Sequence, residues 1–168
     1  MLRTLTLMIL SLSAMAADGD CALELSAFGV SYHTNRNYNW NEKNWGGGVG
    51  IRMVGEGQLE LRLAAARYKD SMNEKATVAM GGFGYLFGNR NNLHASLEFN
   101  LGYMNGSGIS KGVNAIPVVS VGYGPVDLCF TGMIMRDGLK HETTGPDDLE
   151  HAQSSVIGAF VRFTVLKW

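Results

Sequence analysis

From Leu59 to Ala65 the chain alternates Leu59, Leu61, Leu63 and Ala65 with Glu60, Arg62 and Ala64. From Leu93 to Tyr103 it alternates leucine, alanine and aromatic residues with His94, Ser96, Glu98, Asn100 and Gly102. A period of two puts successive side chains on opposite faces of a β-strand, one apolar and one polar. The same reading predicts weaker strands at Leu23 to His33, Trp45 to Met53, Lys75 to Phe87, Val113 to Tyr123, Val126 to Met135 and Ser155 to Leu166, eight in all. No amphipathic helical window of comparable length and no internal repeat interrupts them. A single all-β domain over residues 17–168 is the economical reading.

Alternation does not say which face points outward. A soluble lipocalin-like barrel is polar outside and apolar within, and a membrane barrel reverses this. Three features choose the membrane form. Residues 1–16 read as a removable export signal, with Arg3, an apolar stretch from Leu5 to Leu12 and an Ala14-Met15-Ala16 cleavage site. The chain closes on VRFTVLKW, a last strand ending in an aromatic residue. Short links at 54–58, 88–92 and 124–125 alternate with longer ones at 34–44, 68–74, 105–112 and 136–154, as short periplasmic turns alternate with longer external loops.

The expected fold is therefore an eight-stranded antiparallel transmembrane β-barrel of the outer membrane. No later stretch supplies the roughly 20 consecutive apolar residues of a membrane helix. A lipid-facing Arg62 near the midplane would cost about 2–4 kcal/mol, so Glu60, Arg62 and Glu98 are expected to point inward and pair. Tyr32, Trp45, Tyr68, Tyr103 and Trp168 fall near strand ends and suit interfacial girdles.

Composition narrows the partners. The chain carries 22 glycines against three prolines, a balance that favours tightly curved β structure over disorder. Its formal net charge of −1, with no Lys/Arg cluster, argues against a nucleic-acid partner, whose phosphates demand a basic face. The two cysteines, Cys21 and Cys129, allow one disulfide or two buried thiols. Neither is next to a histidine in sequence, which gives a thiol nucleophile little support.

Strand counting from a periplasmic N-terminus brings His33, Asp70 and Ser71 to the same external end of the barrel. A histidine near a carboxylate and a hydroxyl supports acyl transfer: the imidazole takes a proton from an attacking alcohol, the carboxylate orients the ring, and the hydroxyl attacks or polarises. The plainer reading is a polar loop and a histidine at the mouth.

Ordered short motifs add a resemblance. His33 following an aromatic residue, NEKNWGGGVG at 41–50, YKDSMN at 68–73, GGFGY at 81–85, IPVVSVGYGPV at 116–126 and AFVRF at 159–163 resemble, in order, the PagP family. Its members are lipid A palmitoyltransferases of the Gram-negative outer membrane. The resemblance implies a monomeric eight-stranded barrel that moves a palmitoyl chain from the sn-1 position of a phospholipid donor to lipid A, without a cofactor or metal. It implies His33, Asp70 and Ser71 as the catalytic set, Gly84 as the floor of the acyl pocket, and Pro117 as a gate where the strand ladder opens to lipid. Glycine at a floor has a physical reason, since an eight-stranded barrel leaves room for little more than its own side chains. Strand curvature at Gly81 or Gly82 is the competing reason for the glycines there.

The chain departs from that family in three places. Only Ala17 to Ala22 precede the first strand, where the family has an amphipathic helix. Asn44 and Ile134 occupy two slots that are proline in the family. The segment HETTGPDDLEH at 141–151 is longer than its family equivalent, and its His141, Glu142, Asp147, Asp148, Glu150 and His151 suit either a divalent cation or, more ordinarily, a solvated acidic loop. A non-enzymatic outer-membrane barrel of structural or adhesive role, with Glu60, Arg62 and Glu98 filling the lumen, is the main alternative function. A secreted lipocalin-like carrier is a more distant third.

Overall fold

The computed structural model describes residues 21–34, 39–106, 111–135 and 154–168. Eight strands follow one another as β1 (Cys21–His33), β2 (Lys43–Val54), β3 (Leu59–Lys69), β4 (Lys75–Gly88), β5 (Leu93–Asn105), β6 (Gly112–Tyr123), β7 (Val126–Met135) and β8 (Ser154–Lys167). Each pairs antiparallel with the next, and β8 pairs with β1, so the sheet closes on itself. Closure gives every strand a paired neighbour on each side, the condition for a β-structure to span lipid. The expected signal at 1–16 and the acidic segment at 141–151 lie outside the described residues.

Register decides the faces. Leu93, Leu97, Phe99 and Leu101 on β5 are exposed, while His94, Ser96, Glu98 and Asn100 between them are buried. The wall of the barrel is therefore apolar outside and polar within, as a membrane barrel requires. Tyr32, Trp45, Tyr103 and Trp168 stand on the outer face, as girdles demand. Tyr68 does not: it shares the inward face of β3 with Glu60 and Arg62, and its ring stacks on Phe28 with centroids 5.2 Å apart. Two residues below an inward Asp70, it could face no other way.

The lumen has two halves of different chemistry. Towards the end closed by short links, Glu24, Glu60, Glu98 and Asp127 meet Arg52, Arg62, Arg90 and Arg162 in one buried layer. Arg62 lies 3.0 Å from Glu60 and 3.1 Å from Glu98. Arg90 reaches both Glu60 and Asp127 at 2.8 Å. Towards the other end the inward residues become apolar, with Val78, Met104, Ile116, Val118, Cys129 and Phe160 packed into one cluster. Cys21 and Cys129 are buried free thiols, so the disulfide that their number allowed is not formed.

Four strands start one or two residues earlier than the hydrophobic pattern suggested, and the other four start where it placed them. Cys21 and Trp168 exchange both backbone hydrogen bonds at 3.1 and 3.0 Å, which draws the first strand back to Cys21 and fastens the described chain ends together. The short link after β2 is a 3-10 turn over Glu56–Gln58. Gly57, Gly88 and Gly124, all in these short links or at their edges, have φ of 69°, 92° and 59°, the left-handed region where only glycine sits without steric cost.

Candidate active site

Alternation continued from Leu23 and Leu25 would point Ser31 and His33 out into lipid. One extra residue prevents this. Phe28 pairs with Phe160 and Val30 with Ala159, so Gly29 is a bulge unmatched on β8. Bulges re-aim side chains in this way. Beyond Gly29 the parity flips: Val30 and Tyr32 face outward, and His33 turns into the lumen, where it is fully buried.

The turn after β3 delivers the partner. His33 Nε2 lies 2.8 Å from Ser71 Oγ, across 38 residues of chain. Asp70 Oδ1 accepts the backbone N–H groups of Met72 at 3.0 Å and Glu74 at 2.9 Å. Its carboxylate thus holds together the tight turn that presents Ser71. A second strap supports the pair from the other side. Asn41 donates its backbone N–H to Ser71 O at 2.8 Å and its Nδ2 to Asp70 O at 2.9 Å. Trp40 lays its ring on that of His33, with centroids 4.7 Å apart and planes 13° from parallel. Asn44 donates Nδ2 to Lys69 O at 2.9 Å.

Below the pair opens an apolar cavity of about 160 Å³. Trp40, Asp70, Ser71 and Met72 line its mouth, and Phe28, Tyr68, Val78, Met80, Met104 and Val118 line its depth. That volume falls under the roughly 300 Å³ at which small-molecule pockets begin. Met80, Met104 and Met133 line the cavity, unbranched thioethers that re-pack readily.

Of the residues expected to shape the pocket, Gly84 sits elsewhere. It pairs with Glu60 on β3 and Glu98 on β5, inside the charged layer, and a Cβ there would lie 2.8 Å from Glu98 Cγ. The cavity ends above it. Pro117 faces outward on β6 and marks a break in the wall. Pairing of β6 with β7 runs only from Tyr123↔Val126 to Val118↔Thr131, whereas β5 and β6 stay paired to Met104↔Gly112. Thr131 Oγ1 donates to Pro117 O at 2.8 Å, so that peptide faces β7, the side on which proline has no N–H to offer. Ile116, Thr131, Gly132 and Met133, on the two sides of the break, all line the cavity.

The structure brings the expected His33, Asp70 and Ser71 to one rim, and around them it places Gly29, Trp40, Asn41 and Phe28, which sequence reasoning did not single out. Gly29 had a legible signal, a glycine inside a strand pattern. The Trp40–Asn41 strap had none, because it depends on where a loop folds back. Among the described residues no group of three or more histidine, cysteine or acidic side chains is placed to hold a metal ion.

A closed barrel with a lipid-facing apolar wall, a charged lumen and a histidine–serine pair at one mouth defines a class: an eight-stranded transmembrane β-barrel. The chain belongs to the PagP family, whose model, described as "Antimicrobial peptide resistance and lipid A acylation protein PagP", matches residues 16–138. Membership points to the outer membrane and to a lipid A-related role. Among solved structures the chain is similar to Neisserial surface protein A (NspA), at a TM-score of 0.42 and 12% identity, covering 88% of this chain and 97% of that one. No curated protein sequence matches.

Proposed function

We propose that the protein is an outer-membrane acyltransferase that moves a palmitoyl-type chain from a phospholipid to a hydroxyl of lipid A. The observation that carries this reading is the 2.8 Å contact between His33 Nε2 and Ser71 Oγ at the mouth of an apolar cavity. The acyl chain occupies the cavity, so its ester carbon comes to rest beside the pair. His33 accepts the proton of the attacking lipid A hydroxyl, a new ester C–O bond forms, the donor's ester C–O bond breaks, and the proton passes to the departing lysophospholipid oxygen. Ser71 polarises the carbonyl. Asp70 acts through the backbone, by holding the turn that places Ser71.

Lateral entry at the β6–β7 break brings lipid to the cavity without crossing the barrel mouth. The competing structural role requires a lumen filled throughout. Here the charged layer fills one half and leaves an apolar cavity in the other, and that division favours the enzyme. Expression in an outer membrane that lacks this activity should add one acyl chain to lipid A, read as a mass increase in the extracted lipid. Ser71→Ala should remove at least 10²-fold of it. Unchanged lipid A from a folded, inserted barrel refutes the reading.

A further inference from the structure

On the outer wall beside the candidate site, Lys69 and Lys75 are direct cross-strand partners, and Arg67 stands opposite Thr77 one step below. All three are exposed on the lipid-facing side of β3 and β4. Like charges directly opposite in a sheet destabilise it, so an ordinary wall would not pair two lysines. Among the described residues none of the three forms an ion pair; Lys69 Nζ instead donates to Asn73 Oδ1 at 3.0 Å, and of the two carboxylates adjacent in sequence Asp70 is buried on the inner face and Glu74 belongs to the turn. Further down the same strands the outward residues become Leu63 and Gly81, level with Ile51 and Leu101. The cations therefore sit where the apolar band ends, at headgroup height.

Immediately below Arg67 the wall is hollow. Gly47, Ala65 and Ala79 present little or no side chain, and with Val49 and Tyr103 at its sides they leave a shallow, open depression on the outer wall. A concave apolar strip under a cluster of unpaired cations matches a lipid whose acyl chain lies along the wall and whose phosphate lies above it. We propose that this face of β3 and β4 docks an anionic membrane glycolipid bearing phosphomonoester groups, with Arg67, Lys69 and Lys75 on the phosphate and an acyl chain in the hollow. Ser71 is two residues beyond Lys69, so a lipid held here has its headgroup next to the candidate site. That the docked lipid is the acyl acceptor rests on the function proposed above; the docking itself does not.

The test uses the full chain carrying His33→Ala, so that no turnover complicates binding, reconstituted in zwitterionic phosphatidylcholine nanodiscs. Two probes are titrated, bisphosphorylated lipid A and the same lipid with both phosphates removed. Each cation at a membrane surface contributes about fivefold, so Arg67→Gln/Lys69→Gln/Lys75→Gln should weaken binding of the phosphorylated probe by roughly a hundredfold and abolish the preference for phosphate. Ala65→Leu/Ala79→Leu, which fills the hollow and keeps every charge, should weaken both probes alike. Lys167→Gln, at the opposite end of the barrel, should change neither. Equal affinity of the triple variant and its parent for the phosphorylated probe overturns the proposal, as does an equal loss in Lys167→Gln. Lost docking in the triple variant together with an acylation-silent wild-type chain leaves the docking site standing and removes only the acyltransferase.

Discussion

Replacing Arg62 by methionine is the sharpest trial of the lumen described here. Arg62 faces Glu60 at 3.0 Å, Glu98 at 3.1 Å and Glu24 at 3.5 Å, in a layer where Arg52, Arg62, Arg90 and Arg162 balance Glu24, Glu60, Glu98 and Asp127. Methionine fills much of the same volume but leaves four carboxylates to three guanidiniums. Breaking a buried ion pair from one side costs about 3–5 kcal/mol, because the abandoned charge stays desolvated. Arg62→Met should fall in that range, and so should Glu98→Gln, which removes the negative charge 3.1 Å from both Arg62 and Arg162. The double variant restores the balance, and its cost should be at least about 2 kcal/mol smaller than the sum of the two single costs. Urea titration of the barrel in vesicles gives each value from the shift in midpoint at constant slope. A single-variant cost below about 1 kcal/mol, or strict additivity in the double, would refute a closed, charge-balanced layer and with it the floor beneath the cavity.

Other outcomes follow from the upper half of the lumen. Deleting Gly29 removes the bulge, turns His33 towards lipid and should abolish acyl transfer while the barrel still inserts; wild-type lipid A mass spectra from that variant would contradict the bulge's role. Pro117→Val supplies the missing N–H and should let β6 and β7 zip further, adding about 0.5–1.5 kcal/mol per hydrogen bond gained. Transfer from vesicle phospholipid should slow several-fold, and an unchanged rate would mean that lipid takes another route. Met80→Trp should shift the donor preference to a shorter acyl chain, since it narrows the cavity. Gly84→Ala should leave chain length alone and lower the unfolding midpoint by crowding Glu98, and the reverse result would return the floor to Gly84.

How much of the site was legible depends on how local each determinant is. Asp70 and Ser71 are adjacent, and topology alone brought them to the rim that carries His33. That His33 faces inward was not legible from alternation, because a bulge of one residue inverts everything after it. The departure at Asn44 also became intelligible only in three dimensions, where its side chain fastens the rim by donating to Lys69 O. Tyr68 was assigned to the outer girdle for its place near a strand end, but the parity of β3 ties it to Asp70 and sends both inward.

Period-two alternation by itself determined the eight strands and set Glu60, Arg62 and Glu98 on the face opposite their leucine and phenylalanine neighbours, while the cost of a charge in lipid turned that face inward. The alternation comes from side-chain direction along a strand, a repeat of two residues that no distant contact alters. The closed tertiary structure decided what alternation leaves open: that charged side chains gather in one half of the lumen and apolar ones in the other, that the β6–β7 ladder stops at Pro117, and that Gly29 turns His33 onto Ser71. Each depends on which residues of different strands arrive at the same height, and that height is set by the register of all eight strands at once.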